Sequence, residues 1–232
     1  MDFIKTSEEL KQSSKEWEKF PELGIDIECE NNLHHYGTYL ALIQISTKEK
    51  DYVIDALALK DFSPLIKVLE NNKIQKIFHD VSFDLRLIHK SFNCRPKNVF
   101  DTQMAALLLG KTKLGLGALL EEYLSVKKEK KYQKVDWTRR PLTKDMLDYA
   151  TKDTAYLIQL RDFLIKELTE KGRLDWIKEE CLFIENNKNC YQEETFMGIS
   201  GLRYLTDQQR AVLKRLYDLR EKLACQVDRP VY

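Results

Sequence analysis

The chain has 232 residues, enough for one large α/β domain or one domain with a small appendage. Its 43% hydrophobic and 32% charged residues exclude a disordered, collagenous or disulfide-framework class. Lys+Arg 38 against Asp+Glu 37 leaves a net charge of +1, so any case for a nucleic-acid partner has to rest on local features.

In chain order, Thr6 and Glu9 have capping-box spacing ahead of a first helix that ends near Pro21. Three β-rich runs follow, "LGIDIE", "YLALIQIS" and "DYVID", separated by turn-like or polar residues, and they read as a meander. "FSPLIKVLENN" is helical in period, "IQKIFHD" is another short β-rich run, and "SFDLRLIHKSF" returns to a helical period. Glycines 110, 115 and 117 interrupt the pattern before "LGALLEEYL". From Thr143, just after Pro141, "TKDMLDYATKDTAYLIQLRDFLIKEL" has the period of one long helix, and "LDWIKEECLFIENNKNCYQEE" and "TDQQRAVLKRLYDLREKLACQ" read as further helices around a linker at Gly198 and Gly201. Strands first and helices later describe a mixed sheet with helices packed on it. The five cysteines form no C-x-x-C pair, and no stretch approaches the roughly eighteen apolar residues of a membrane span. The expected setting is the reducing cytoplasm, without a membrane partner.

Two carboxylates sit awkwardly in this pattern. Asp26 and Glu28 alternate with Ile25 and Ile27 on a strand, so they project side by side from one face. Like charges that close raise each other's pKa unless a cation lies between them. In isolation a D-x-E pair belongs to an edge strand facing water; its meaning changes when further hard oxygen ligands recur elsewhere, as Mg²⁺ or Mn²⁺ requires. Asp80 and Asp84 are four apart at a strand-to-helix junction, where Asp80 reads as a helix cap and Asp84, inside the helix, has less structural excuse. Tyr149 and Asp153 are four apart in the long helix, which stacks them on one face. Between these groups, residues 127 to 140 ("KKEKKYQKVDWTRR") hold seven cations, at 127, 128, 130, 131, 134, 139 and 140, against acids at 129 and 136. Charge runs are commonly solvated loops, but Tyr132 and Trp137 interleaved with the lysines suit phosphate contacts and base stacking.

The set "GIDIE", "FHDVSFDLRLI", "VFDTQMAALLL", "DWTRRPLT" and "MLDYATKDTAYLIQL" resembles, in order and spacing, the DEDDy-type 3′→5′ exonucleases, and most closely ribonuclease D, over residues 3 to 170. The resemblance implies an RNase H-like α/β exonuclease fold over 1–170, a helical connector over 171–201, and over 202–232 the start of an HRDC-like helical module. It implies two divalent ions, Mg²⁺ or Mn²⁺, about 4 Å apart. Asp26 would serve both, Glu28 and Asp153 would complete one site, and Asp84 would hold the other. Tyr149 would orient the attacking water, and His79, Asp80 and Asp101 would support the site from behind, with His34 and His35 near the substrate channel. Lys127, Lys128, Lys130, Lys131, Tyr132, Lys134, Trp137, Arg139 and Arg140 would guide a single-stranded RNA 3′ end, tRNA precursors among the candidates, to a monomeric enzyme releasing nucleoside 5′-monophosphates. Two other readings stay open: a DNA exonuclease of the Werner type, since metal ligation does not discriminate ribose from deoxyribose, and a non-catalytic nucleic-acid-binding scaffold of the same fold.

Overall fold

In a computed structural model of the chain, which describes residues 1–128, 131–132, 134–186 and 195–231, the N-terminal capping box forms as its spacing predicts. Thr6 Oγ1 accepts the Glu9 N–H at 3.3 Å and Glu9 Oε2 accepts the Thr6 N–H at 2.9 Å, opening α1 (Ser7–Trp17). Ahead of it lies a strand that three residues are too few to announce, β1 (Asp2–Ile4).

The meander forms as β2 (Glu22–Asn31), β3 (Thr38–Ser46) and β4 (Asp51–Asp55), with β2 antiparallel to β3 and β3 antiparallel to β4. β1 pairs parallel with β4 at one edge, and β5 (Gln75–Phe78) and β6 (Val99–Asp101) extend the sheet in parallel from β2, giving the order β1-β4-β3-β2-β5-β6. Asp26 and Glu28 therefore sit on a central strand. This excludes an edge strand: both carboxylates are paired to β3 and lie just past the segment of β2 that also pairs with β5.

The strand alternation divides the core. Ile25, Ile27, Ile43, Ile45 and Ile54 pack with Leu10 and Trp17 of α1, with Leu65 and Val68 of α2 (Ser63–Leu69), and with Leu87 and Ile88 of α3 (Ser82–Phe92). On the other face lie Asp26, Glu28, Leu42 and Val53. Leu42 and Val53 pack against Trp137 and against Met146, Tyr149 and Ala150 of α6 (Lys144–Thr151). Beside them a second cluster joins Ile77 and Phe100 to α4 (Thr102–Leu108), α5 (Leu116–Leu124), α7 (Leu157–Glu170) and α8 (Leu174–Asn186). Between Glu28 and Cys29 the β2–β3 register shifts, a bulge of the kind that re-aims side chains next to sites.

The single helix expected from Thr143 onward is two. After α6 the N–H groups of Lys152, Asp153 and Thr154 bond three residues back, to Tyr149, Ala150 and Thr151, and α7 begins only at Leu157. The apolar period runs through the break and hides it. Its cause lies in the threonines and in Gly24: Thr154 Oγ1 is 2.6 Å from Ser46 Oγ of β3, and a Cβ on Gly24 would lie 2.7 Å from the Thr154 carbonyl oxygen and 3.2 Å from Leu157 Cβ. Only a residue without a side chain lets the broken turn sit directly on β2. Asp153 is thus on the break and not in mid-helix.

The last helix, α9 (Asp207–Val227), opens with a capping box at Thr206 and Gln209 and buries Ala224 alone. Val212, Leu216, Leu219 and Leu223 are exposed along it. Its C-terminal end is tied to the β2–β3 turn by polar contacts: Asp228 Oδ1 accepts the Tyr36 N–H at 3.1 Å, and Tyr36 Oη donates to Glu221 at 3.0 Å. Among the described residues no helix is long and apolar enough to cross a membrane.

Gly24→Ala is expected to lower stability by about 1–3 kcal/mol, the range of an overpacked core site, with the broken turn displaced from β2. Urea unfolding monitored by circular dichroism measures it, and an unchanged midpoint would contradict the close approach.

Candidate active site

Three chain segments converge on the polar face of β2. Asp26 and Glu28 come from the strand itself, and Asp153 comes down from the break after α6; donor oxygens of the three lie within 4.8 Å of one another. Asp84, buried in the first turn of α3, is outside that tight group but close enough to feel the charges of Asp26 and Glu28. Tyr149, buried on α6, stands one turn before Asp153 with its ring near both strand carboxylates.

The electrostatics follow from burial. Asp26 is pushed up to about 6, mainly by loss of water, with the Lys128 ammonium opposing the rise. Glu28 is held well above its usual range by burial and by Asp26. Asp84 is raised by burial first and then by the charges of Asp26, Asp80, Asp101 and Glu28. The Tyr149 phenol is raised by burial, Glu28 and Asp26, so it stays a proton donor at neutral pH. Three carboxylates with raised pKa values, and Asp153 within 4.8 Å of two of them, are a set for which a cation is the natural complement. The donors are all carboxylate oxygens, the ligand type of Mg²⁺ and Mn²⁺ and not of a thiol- or imidazole-seeking metal. The residues fit a divalent cation.

Lys128 already supplies one positive charge there. Its Nζ pairs with Asp153 Oδ1, attracts both strand carboxylates and lies 5.6 Å over the Tyr149 ring. Burial lowers its pKa against that attraction. The basic run had suggested a phosphate guide; the structure places this one lysine inside the cage.

Others of the expected guides have structural work. Trp137 is 3% exposed, its ring 6.3 Å from that of Tyr149 and stacked on it, so it supports the tyrosine and has no face open to a base. Arg140 clamps the buried Asp55 with two hydrogen bonds of 2.7 and 2.6 Å and caps the Trp137 carbonyl at 2.7 Å, which fixes the loop to β4. Tyr132 is half-buried with its ring edge-on to Tyr149 at 5.3 Å. Lys127, Lys131, Lys134 and Arg139 are exposed, Arg139 with an ion pair to Asp136. Lys130 lies outside the described residues.

Asp80 does not cap α3. It holds a left-handed φ of 61° and is itself fastened by Asp101, whose carboxylate accepts the N–H groups of Asp80, Val81, Gln103 and Met104 at 2.8 to 3.3 Å. Asp101 thus locks the turn that delivers Asp84. His79 bonds Thr102 Oγ1 at 2.9 Å, on the same support. On the rim, Glu30, His34 and Asp136 also come within 4.8 Å, but Glu30 Oε1 accepts the N–H groups of Leu33 and His34, and Asp136 Oδ1 accepts both donors of Thr138, so these oxygens are held by the protein. His35 bridges Asp228 at 2.7 Å and Asp136 at 3.2 Å, joining the β2–β3 turn, α9 and the basic loop.

A family model described as a 3′-5′ exonuclease matches residues 1–169. The chain belongs to this 3′-5′ exonuclease family. Within it, the exonuclease-family chain is similar to a ribonuclease D of Desulfotalea psychrophila, 30% identical over 98% of this chain and 62% of that protein. Escherichia coli RNase D, an exoribonuclease involved in structured RNA processing, matches with a TM-score of 0.82 and 30% identity over 99% of this chain and 62% of that one. Brucella melitensis NrnC with bound Mg²⁺ matches with a TM-score of 0.69 and 26% identity over 79% of this chain and 89% of that one. The chain thus spans less than two thirds of the length of either ribonuclease D.

Lys128→Ala removes the cation that the metal-free cage relies on. It is expected to lower the melting temperature in EDTA and to enlarge the rise on adding Mn²⁺, both read by differential scanning fluorimetry; equal behaviour to wild type would place Lys128 outside the cage.

His35 gains Asp228 and Asp136 as partners on folding, and the Asp228 hydrogen bond leads in raising its pKa above 6.5. A raised histidine contributes stability that is complete below its unfolded pKa and is lost as pH rises through the folded one. Wild type should therefore lose stability relative to His35→Gln as pH rises from the unfolded histidine value of about 6.5 through the higher folded one. Parallel pH titrations of the two unfolding midpoints check the sign.

Proposed function

We propose that the chain is a divalent-metal-dependent 3′→5′ exoribonuclease that removes nucleotides one at a time from single-stranded RNA 3′ ends, acting as a monomer and with tRNA precursors as a candidate substrate class. The convergence of Asp26, Glu28 and Asp153 within 4.8 Å, with Asp84 near enough to feel the charges of Asp26 and Glu28, carries the reading. Similarity to proteins named ribonuclease D supports RNA over DNA. Four described cysteines, Cys29, Cys94, Cys181 and Cys225, are free, in keeping with a reducing cytoplasm.

In this reading Asp26, Glu28, Asp84 and Asp153 hold two divalent cations, Mg²⁺ or Mn²⁺. When bound, such ions activate the attacking water and stabilise the leaving 3′ oxygen of an in-line displacement. The protein's own groups do the rest. β2 keeps Asp26 and Glu28 in fixed register, and the Gly24 contact sets the height of Asp153 above them. The Tyr149 hydroxyl, kept protonated by its surroundings, orients the water toward phosphorus. Lys128 gives up Asp153 as the cage fills and is then at hand for a phosphate oxygen of the substrate. The exposed Lys127, Lys131, Lys134 and Arg139 steer the backbone by charge, a contact that positions without reading sequence.

The nuclease unit is taken as 1–170, the connector as 171–201, and 202–232 as the opening of an HRDC-like helical module. The unpacked apolar residues of α9 support the last assignment, because a lone helix with such a stripe requires partners.

The test is digestion of matched 5′-labelled RNA and DNA oligonucleotides in Mn²⁺, with EDTA as control. The expected pattern is a one-nucleotide ladder on RNA, abolished by EDTA. Asp26→Asn and Asp153→Asn should each reduce the rate by at least about 100-fold, beyond the loss typical of an outer partner of a metal ligand. Tyr149→Phe should reduce kcat by about 100-fold with KM little changed. Retention of activity in Asp26→Asn and Asp153→Asn would refute the assignment, and a ladder on DNA alone would overturn the RNA reading.

A further inference from the structure

Gln44 has no role in the site as described so far, and its surroundings ask for one. It is the only strongly polar side chain within the apolar run "LALIQI" of β3, and it is completely buried, at 0% exposure. Neither its Nε2 nor its Oε1 has a hydrogen-bond partner among the described residues. A buried primary amide with both ends unsatisfied costs stability, and native proteins hold few such groups. A methionine would fill the same space without that cost.

The register shows what the amide faces. Gln44 stands directly across from Asp26 on one side and from Val53 on the other. Opposed residues of antiparallel strands share a face, with Cβ atoms about 4.5–5.5 Å apart. Gln44 therefore lies on the Asp26 face of the sheet, beneath the α6 layer that carries Tyr149, and the ionisable group opposite it is the central carboxylate of the cage. Of its neighbours on that face, Leu42 and Val53 are apolar, and the Ser46 hydroxyl is engaged by Asp51 and Thr154, each at 2.6 Å. An Asp26 carboxylate that is ionised and fixed in one orientation has lone pairs for an amide donor, and the cation whose charge reaches it within the chain is Lys128.

We propose that Gln44 is a positioning residue for the cation-loaded cage, its side-chain N–H donating to the Asp26 carboxylate or to a water beside it, so that the amide's hydrogen bonds are made in the loaded state and forgone in the free one. The inference rests on the reading above that the cage takes divalent cations. It accounts for a polar group kept in a place where an apolar one would pack as well.

The test uses Gln44→Met and Gln44→Leu in the full chain, with Mn²⁺ alone as titrant in isothermal titration calorimetry and melting temperatures in EDTA alongside. Both variants should be at least as stable as wild type in EDTA, while their Mn²⁺ affinity falls about 10- to 100-fold, the range for losing an outer partner of a metal ligand. A merely structural glutamine would leave the affinity unchanged, and that result overturns the proposal. So does a drop in EDTA stability, or failure of both variants to fold, since either means the amide is already satisfied without metal. If wild type itself takes up no Mn²⁺, the cage reading falls; if wild type and both variants bind alike, only the role of Gln44 falls.

Discussion

Repulsion between carboxylates fixed on a buried strand face is the constraint around which this molecule is arranged. Asp26 and Glu28 cannot turn away from each other, because both are paired to β3, β2 is anchored just before them to β5 at Glu22–Gly24, and the pleat fixes both side chains on one face. Asp153 and Asp84 add to the strain from two further directions. Burial removes the water that would screen them, so the protein meets the charge with a cation in reach, Lys128, and with a donor set shaped for stronger ones. Loss of water raises Asp26, and burial together with neighbouring carboxylate charge raises Glu28, Asp84 and the Tyr149 phenol.

That crowding needs rigid supports, and the supports are unrelated elements solving separate local problems. Gly24 removes a side chain so that a broken helix can rest on β2. Ser46 and Thr154 join the break to β3, Asp101 takes four backbone donors to hold the turn before α3, and Arg140 ties the basic loop to β4 through Asp55. Each places one ligand or one wall, and ligands set on strands and locked turns are held more precisely than on free loops.

Much of this was legible from residues alone. The alternation in "GIDIE" and the recurrence of Asp84, Tyr149 and Asp153 at spaced positions pointed to the cage because hard ligands must come from several elements at once. The break between α6 and α7 was not legible: its apolar period continues across the gap, and what interrupts the helix is a contact with a glycine more than a hundred residues away. The basic run misled in part, since composition reports that charges are present but not which are spent. Arg140 and Trp137 are spent on the scaffold and Lys128 on the cage, and pairing across the fold decides that. Gln44 did leave a signal, a lone amide in an apolar strand, whose meaning depends on a register that only the paired sheet supplies.

The same register links the two halves of the site. Asp26 faces the cage with its carboxylate and faces Gln44 across the ladder, while Leu42 and Val53 on that face carry α6 and its tyrosine. The strand that carries Asp26 and Glu28 is thus bonded directly to the strand on which α6 and Tyr149 rest. Lys128, at the start of the basic loop, pairs with Asp153, and the loop is pinned farther along by Asp136, where His35 also reaches Asp228 at the end of α9. The carboxylate group, the basic loop and the seating of the last helix are therefore linked through one short segment, because the run that sets Lys128 against Asp153 also sets Asp136 against His35, which reaches Asp228 at the end of α9.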